Sequence, residues 1–326
     1  MKKVMKITGL VLSGIVLMLV VFCACVAAVG VPTYDPPAVP KITVERTPAR
    51  VARGEVIAQM QCMECHANNE NRLTGKYLAE VPPVFGKLYS KNITQDKVKG
   101  IGNWTDGEII YFLRTGVRRD GSYAPVMPQY PNMADEDLKS VVAWLRSDRF
   151  PVQATSIEGP SSELSLVSKV LTHTLMKPLP YPQQFIGLPD SSNQVALGKY
   201  TADAIGDCFA CHSGDMIDQD KVHPERSKGY YGGGIELVGE GGKPVVTANL
   251  TFDEETGIGK KYTKEQFIRA VKGGVRPDGS ILQYPMAPKP MLSDREVGAI
   301  YEYLKTVPTI KNDIAKKSAE LQLAQK

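Results

Sequence analysis

Two five-residue runs of one pattern, Cys62-Met63-Glu64-Cys65-His66 and Cys208-Phe209-Ala210-Cys211-His212, set the limits on what this chain can fold into. In a C-x-x-C-H run, two thiols add across the vinyl groups of one haem and the adjoining imidazole takes its iron. The pair therefore predicts two covalently bound haem c groups, with Cys62, Cys65, Cys208 and Cys211 as attachment points and His66 and His212 as iron ligands. A thioredoxin-like dithiol would follow a strand of a βαβ unit. A zinc site drawn from the two cysteine pairs would not explain a histidine directly after both.

The surroundings of the pentamers repeat as well. Asn92-Ile93-Thr94-Gln95-Asp96 returns as Asn249-Leu250-Thr251-Phe252-Asp253, and Gly100-Ile101-Gly102 as Gly257-Ile258-Gly259. Gly116-Val117-Arg118 with Asp120-Gly121-Ser122 returns as Gly274-Val275-Arg276 with Asp278-Gly279-Ser280. The offset is 146 at the pentamers, 157 at the Asn block and 158 at the Gly-Val-Arg block. The second copy thus gains 11 residues after its pentamer, and the glycine-rich run Gly229 to Gly242 is the expected place. No strand and helix of a nucleotide site frame those glycines, so they read as a surface loop.

Each copy carries helical periodicity. Val51, Val56, Ile57 and Met60 lead into Cys62, and Leu197, Tyr200 and Ala204 into Cys208. Gly54 and Gly198 interrupt these helices at a cost of roughly 1 kcal/mol against alanine, which close helix packing would offset. Thr105-Asp106-Gly107-Glu108 and Thr263-Lys264-Glu265-Gln266 read as capping boxes, with Gly116 and Gly273 as helix ends. Leu138, Val141, Val142, Leu145 and Val297, Ile300, Tyr301, Leu304 mark a last helix in each copy. The fold class predicted is all-α, with two tandem domains, each a small helical bundle around its haem. With only 7% aromatic residues, 29 glycines and 23 prolines, polypeptide alone would give modest cores, which haem would fill.

The distal ligand decides the chemistry, because an iron between His and Met exchanges electrons whereas an open site admits peroxide or oxygen. Met127 in Pro125-Val126-Met127-Pro128 and Met286 in Tyr284-Pro285-Met286-Ala287-Pro288 occupy matching loops and are the candidate distal ligands, with Met133 and Met291 in reserve. Arg118, Arg276, Asn92, Asn249 and Trp104 (matched by Tyr262) recur in register and are candidate propionate or supporting contacts. His173 and His223 do not recur and read as linker or surface residues.

At the N-terminus Lys2, Lys3 and Lys6 precede 25 uncharged residues, Ile7 to Val31, enough to cross a bilayer. The lysines favour a cytoplasmic N-terminus, which places the rest outside the inner membrane, as covalent haem attachment requires. An uncleaved anchor is expected; a cleaved signal near Ala24 to Ala28 and acylation at Cys25 are the alternatives. Three of the 39 Lys+Arg lie in this leader, and against 35 Asp+Glu the remainder is close to neutral, giving no footprint for nucleic acid. The expected division is an anchor at 1–31, a Pro-rich spacer at 32–48 with Pro32, Pro36, Pro37, Pro40 and Pro48, and haem domains at 49–150 and 191–310. A connection at 151–190, with a short helix near Leu164–Thr174, and a polar, partly helical tail at 311–326 complete it.

The order Arg53-Gly54-Glu55, C-x-x-C-H, Asn-Ile-Thr-x-Asp, Gly-Ile-Gly, Gly-Val-Arg-x-Asp-Gly, Met127-Pro128 resembles the cytochrome c subunits of periplasmic alcohol and gluconate dehydrogenases, over about residues 49–310. The chain resembles a tandem class I cytochrome c, with two domains where that family commonly has three and Met286-Ala287 where it usually reads Met-Pro. The resemblance implies a membrane-anchored carrier of single electrons on the periplasmic side. Its partners would be a dehydrogenase donor and an oxidase or cytochrome acceptor. A di-haem peroxidase with one open haem is the alternative from the enzyme class, and a subunit that mainly docks a catalytic partner is a third.

Overall fold

In a computed structural model, residues 2–35, 38–79 and 81–324 are described. Pro36 and Pro37 of the spacer and Lys326 of the tail lie outside them. The helices in chain order are α1 (Lys2–Val29), α2 (Pro48–Gln61), α3 (Met63–His66), α4 (Asp106–Thr115), α5 (Asp135–Leu145) and α6 (Leu166–Thr174). They continue with α7 (Gln194–Lys199), a π-helical turn (Tyr200–Ile205), α8 (Cys208–His212), α9 (Lys264–Gly273), α10 (Asp294–Leu304) and α11 (Ile314–Ala324). Two short antiparallel ribbons qualify the all-α expectation: β1 (Gly86–Lys87) with β2 (Glu163–Leu164), and β3 (Glu236–Val238) with β4 (Pro244–Val246).

The chain divides into two compact units whose borders cut across the repeat. One comprises residues 1–43, 65–129 and 150–181, the other 44–64, 130–149 and 182–326.

In the first unit, α1 is the one described helix long and apolar enough to cross a membrane, with mean hydropathy 2.9 in an 18-residue window of Lys3–Val29. Its C-terminal end meets α6: Val26 is buried, Lys169 Nζ donates to Ala27 O, and His173 Nε2 lies 2.9 Å from Gly30 O. His173 is thus spent on the backbone. Helix α6 starts two residues after the expected Leu164 and ends at the expected Thr174, capped by Ser165, whose hydroxyl accepts from Ser168 N. Helix α4 carries the full Thr105–Glu108 capping box and stops at Gly116, whose φ of 77° suits only a residue without Cβ.

The second unit holds α2, α5, α7, α9 and α10. The predicted apolar stripes face inward: Leu138, Val141, Val142 and Leu145 of α5 and Val297, Ile300, Tyr301 and Leu304 of α10 are all buried. Gly54 and Gly198 let helices touch backbone to backbone. A Cβ on Gly54 would lie 1.9 Å from Ser140 O of α5, and one on Gly198 1.9 Å from Ala299 O of α10. Helix α9 has its capping box but ends one residue later than the sequence suggests. Gly274, at φ 74°, is the left-handed cap, and Gly273 is still helical.

The extra length of the second copy also lies elsewhere than expected. Gly75 N donates to His66 O and Gly233 N to His212 O, so these glycines are equivalent. They stand nine residues after one histidine and 21 after the other, which puts the insertion at 213–232, upstream of most of the glycine run. The run itself is no plain surface loop, because it contains buried Tyr230 and Tyr231 and continues into the β3–β4 ribbon.

Candidate functional site

Each pentamer follows directly on a packed helix. Cys62 is the C-cap of α2, its N–H bonded to Ala58 O, and α3 carries the remainder to His66; the second pentamer is α8 itself. One helical turn brings the two thiols and the imidazole of a C-x-x-C-H run to neighbouring positions, because residues three and four apart share a face. No two of the six cysteines form a disulfide.

Both histidines are held alike. His66 is 6% and His212 9% exposed, and each turns Nδ1 to a backbone carbonyl: Lys91 O at 2.7 Å and Ala248 O at 2.9 Å. Burial lowers both imidazole pKa values, with the carbonyl bond opposing it, so the rings are neutral at neutral pH. A neutral ring that donates from Nδ1 leaves the Nε2 lone pair for a metal, the arrangement by which outer contacts fix a ligating histidine. This donor set fits covalent haem. Among the described residues no three His, Cys, Asp or Glu side chains gather as a metal ion alone would require, so the zinc alternative has no ligand set.

The carbonyls that orient the histidines sit one residue before Asn92 and Asn249, and this gives the Asn-x-Thr repeat its purpose. Asn92 Nδ2 donates to Thr155 O and Ile157 O, both at 2.8 Å, while Oδ1 accepts from Thr94 N and Oγ1. Asn249 repeats the pattern with Thr256 Oγ1, Ile310 O and Thr251. Both amide groups are thus consumed inside the protein. Of the two expected roles, propionate donor or supporting contact, these bonds match the second: both asparagines clasp the loop that presents the carbonyl.

The remaining candidates separate in the same way. Arg118 and Arg276 each spend one guanidinium nitrogen on the hydroxyl four residues on, Ser122 at 3.0 Å and Ser280 at 3.3 Å. Trp104 stands edge-on to Phe112 at 5.7 Å with Arg119 over its ring, so it packs the start of α4. Met127 and Met286 are half-buried, and each closes a turn with N–H bonded three residues back, to Ala124 O and Gln283 O. Met133 is 1% exposed and its counterpart at the start of the last helix is Leu292, at 2%. The matched pair of buried apolar side chains fits a core position. Met291 is half-buried, and its own counterpart is Asn132, so it has no matching methionine either.

Sequence reasoning missed one cluster. The π-helical turn carries Asp203, whose carboxylate accepts from Tyr230 Oη at 2.6 and 2.7 Å, Tyr231 Oη at 2.7 Å and Lys199 Nζ at 3.1 Å; Tyr230 and Tyr303 share a further bond of 2.7 Å. The signal lay in the spacing: Gly54 stands eight positions before Cys62, Gly198 ten before Cys208.

Comparison with known proteins supplies the rest. The family model "Cytochrome c" matches residues 51–148. The chain is 27% identical to the alcohol dehydrogenase (quinone) cytochrome c subunit of Gluconobacter oxydans, over 80% of this chain and 55% of that one. It is 29% identical to the fructose dehydrogenase cytochrome subunit of Gluconobacter japonicus, over 81% and 55%. A diheme cytochrome c-type protein of Cereibacter sphaeroides is 25% identical over 76% of this chain and 82% of its own. The chain thus spans about half the length of the dehydrogenase subunits it matches. Residues 51–148 thus match the cytochrome c family model, and the chain is similar to the cytochrome c subunits of alcohol and fructose dehydrogenases.

Proposed function

We propose that this protein is a membrane-anchored di-haem c-type cytochrome on the periplasmic side of the inner membrane. It passes single electrons from a dehydrogenase or membrane complex to a downstream acceptor such as a terminal oxidase. The observation that carries this reading is the duplicated histidine: two buried imidazoles, each behind two thiols and each fixed through Nδ1 by the residue before an Asn-x-Thr clasp. The names of the relatives support redox partners of the dehydrogenase kind, and α1 supports the anchor.

The chain's own residues do the positioning. Cys62 with Cys65, and Cys208 with Cys211, form the thioether links; His66 and His212 present Nε2; Met127 and Met286 offer thioethers on turns stiffened by proline. The haem, when bound, supplies reversible one-electron iron chemistry. A protein that only relays electrons needs both irons closed to outside ligands. The test is to establish the haem count by intact mass and then add carbon monoxide to the fully reduced protein. Two haems, neither changing its optical spectrum promptly, is the expected result. One haem binding at once would overturn the carrier reading and bring peroxidase assays forward.

A further inference from the structure

The two copies differ most sharply at one place, the turn that delivers the second pentamer. Between Gly198 and Cys208 the helix widens into a π-helical turn, Tyr200–Ile205, that copy one lacks. Such turns turn side chains out of helical register. Here Asp203 is turned inward, its side chain 5% exposed, and the segment between His212 and Gly233 and helix α10 supply Tyr230, Tyr231 and Tyr303 around it. In copy one the positions matching Tyr231 and Tyr303 are Leu73 and Trp144, both apolar and buried, and the indole N–H of Trp144 has no partner among the described residues.

This carboxylate lies against the attachment site. The rings of Tyr230 and Phe209, a residue of the pentamer itself, are 6.2 Å apart. Burial raises the Cys208 thiol pKa, and of the charged groups acting on it Asp203 is the strongest, ahead of Asp207 and against Lys289. The counter-charge is weak. Lys199 is 44% exposed and divides itself between Asp203 and Glu225, each at 3.1 Å, so water screens it while the carboxylate stays inside. Copy one has Glu64 within its pentamer, but that residue is exposed, and its buried Asp137 is gripped at both oxygens by Arg53, a guanidinium less exposed than Lys199 that also reaches Glu296.

A buried negative charge favours the iron state with the greater positive charge, the oxidised one. We propose that the Asp203 cluster holds the reduction potential of the haem on Cys208, Cys211 and His212 below that of the haem on Cys62, Cys65 and His66. With a haem held at each site, a single electron shared between them would rest on the first copy, the second giving up one electron and the first taking it, with no bond or proton exchanged. This ordering rests on the two-haem reading above.

The experiment is an optical redox titration of the full-length protein in detergent, beside Asp203→Asn and Lys199→Met variants. The wild type shows two one-electron steps. Asp203→Asn raises the lower step by at least a tenfold change in equilibrium constant, ~59 mV for one electron. Lys199→Met moves that same step down, and the upper step stays in place. Opposite signs separate a charge effect from a packing defect, which would shift both variants one way or alter haem content. An upper step that moves with Asp203→Asn, no movement at all, or shifts of one sign overturn the proposal. A mass showing a single haem sinks the two-haem reading and the ordering with it; two haems with unmoved steps sink the ordering alone.

Discussion

Asn92 and Asn249 show how a residue can fix the orientation of a histidine it does not touch. Each makes two donated bonds, including one to a backbone carbonyl about 60 residues on, and two accepted bonds within its own loop, and each stands beside the carbonyl that orients a histidine. Replacing either with alanine strands buried carbonyls, so Asn92→Ala and Asn249→Ala are expected to cost about 2–3 kcal/mol in thermal or denaturant unfolding. A shifted potential without loss of stability would restore a propionate role. Methionines give a second contrast at this scale. Met127→Ala and Met286→Ala should each make one reduced haem reactive to carbon monoxide with modest loss of stability. Met133→Ala should leave both haems inert and cost about 2–5 kcal/mol as a core cavity. The pentamers and the Asn block were legible in the sequence because they are contiguous and repeat. What Asn92 bonds to was not, since its acceptors at 155 and 157 are more than 60 residues away and are backbone atoms.

At the level of helices, Gly54 and Gly198 are the informative positions. Alanine would gain roughly 1 kcal/mol of helix propensity at each. Its Cβ would meet a carbonyl oxygen at 1.9 Å, and neither α5 nor α10 can withdraw a backbone atom as a side chain would. Gly54→Ala and Gly198→Ala are therefore expected to destabilise by a net 1–3 kcal/mol or so, read as a lower melting temperature with haem still attached. Helix existence, both capping boxes and the close glycine packing could be read from periodicity. The π-helical turn could not, because two added residues shift a helical face without breaking its apolar pattern, and nothing local marks Asp203 as buried. The placement of the insertion failed for a related reason: glycine content marks backbone freedom, whereas the hydrogen bonds of Gly75 and Gly233 to the histidine carbonyls define the register.

Across the whole molecule, sequence copies and folded units part company. Helices α2 and α5 belong to copy one by repeat, yet they pack within the same unit as copy two. Arg53 joins the two repeats there, forking onto Asp137 at 2.9 and 3.0 Å and reaching Glu296 at 2.8 Å, while Tyr200 Oη donates to Asp137. Arg53→Met should cost on the order of 2 kcal/mol, less than a fully buried pair because the arginine is 29% exposed. The pH dependence has a definite sign. Burial pushes the Glu296 carboxyl up, but Ser293 and Arg53 outweigh it and hold the pKa below the ordinary value. The stabilisation is thus complete at neutral pH and fades as pH falls through the folded value, below about 4.3. The melting difference between wild type and Arg53→Met should be constant from neutral pH to mild acid and shrink beneath that point. The same contact has a temporal side. Glu296 follows Arg53 by 243 residues, and at roughly 5–20 residues per second a ribosome needs on the order of 10–50 s to reach it. For that interval the helix ahead of Cys62 lacks its last partner, so the order of synthesis sets the earliest moment at which α2 can be fully docked.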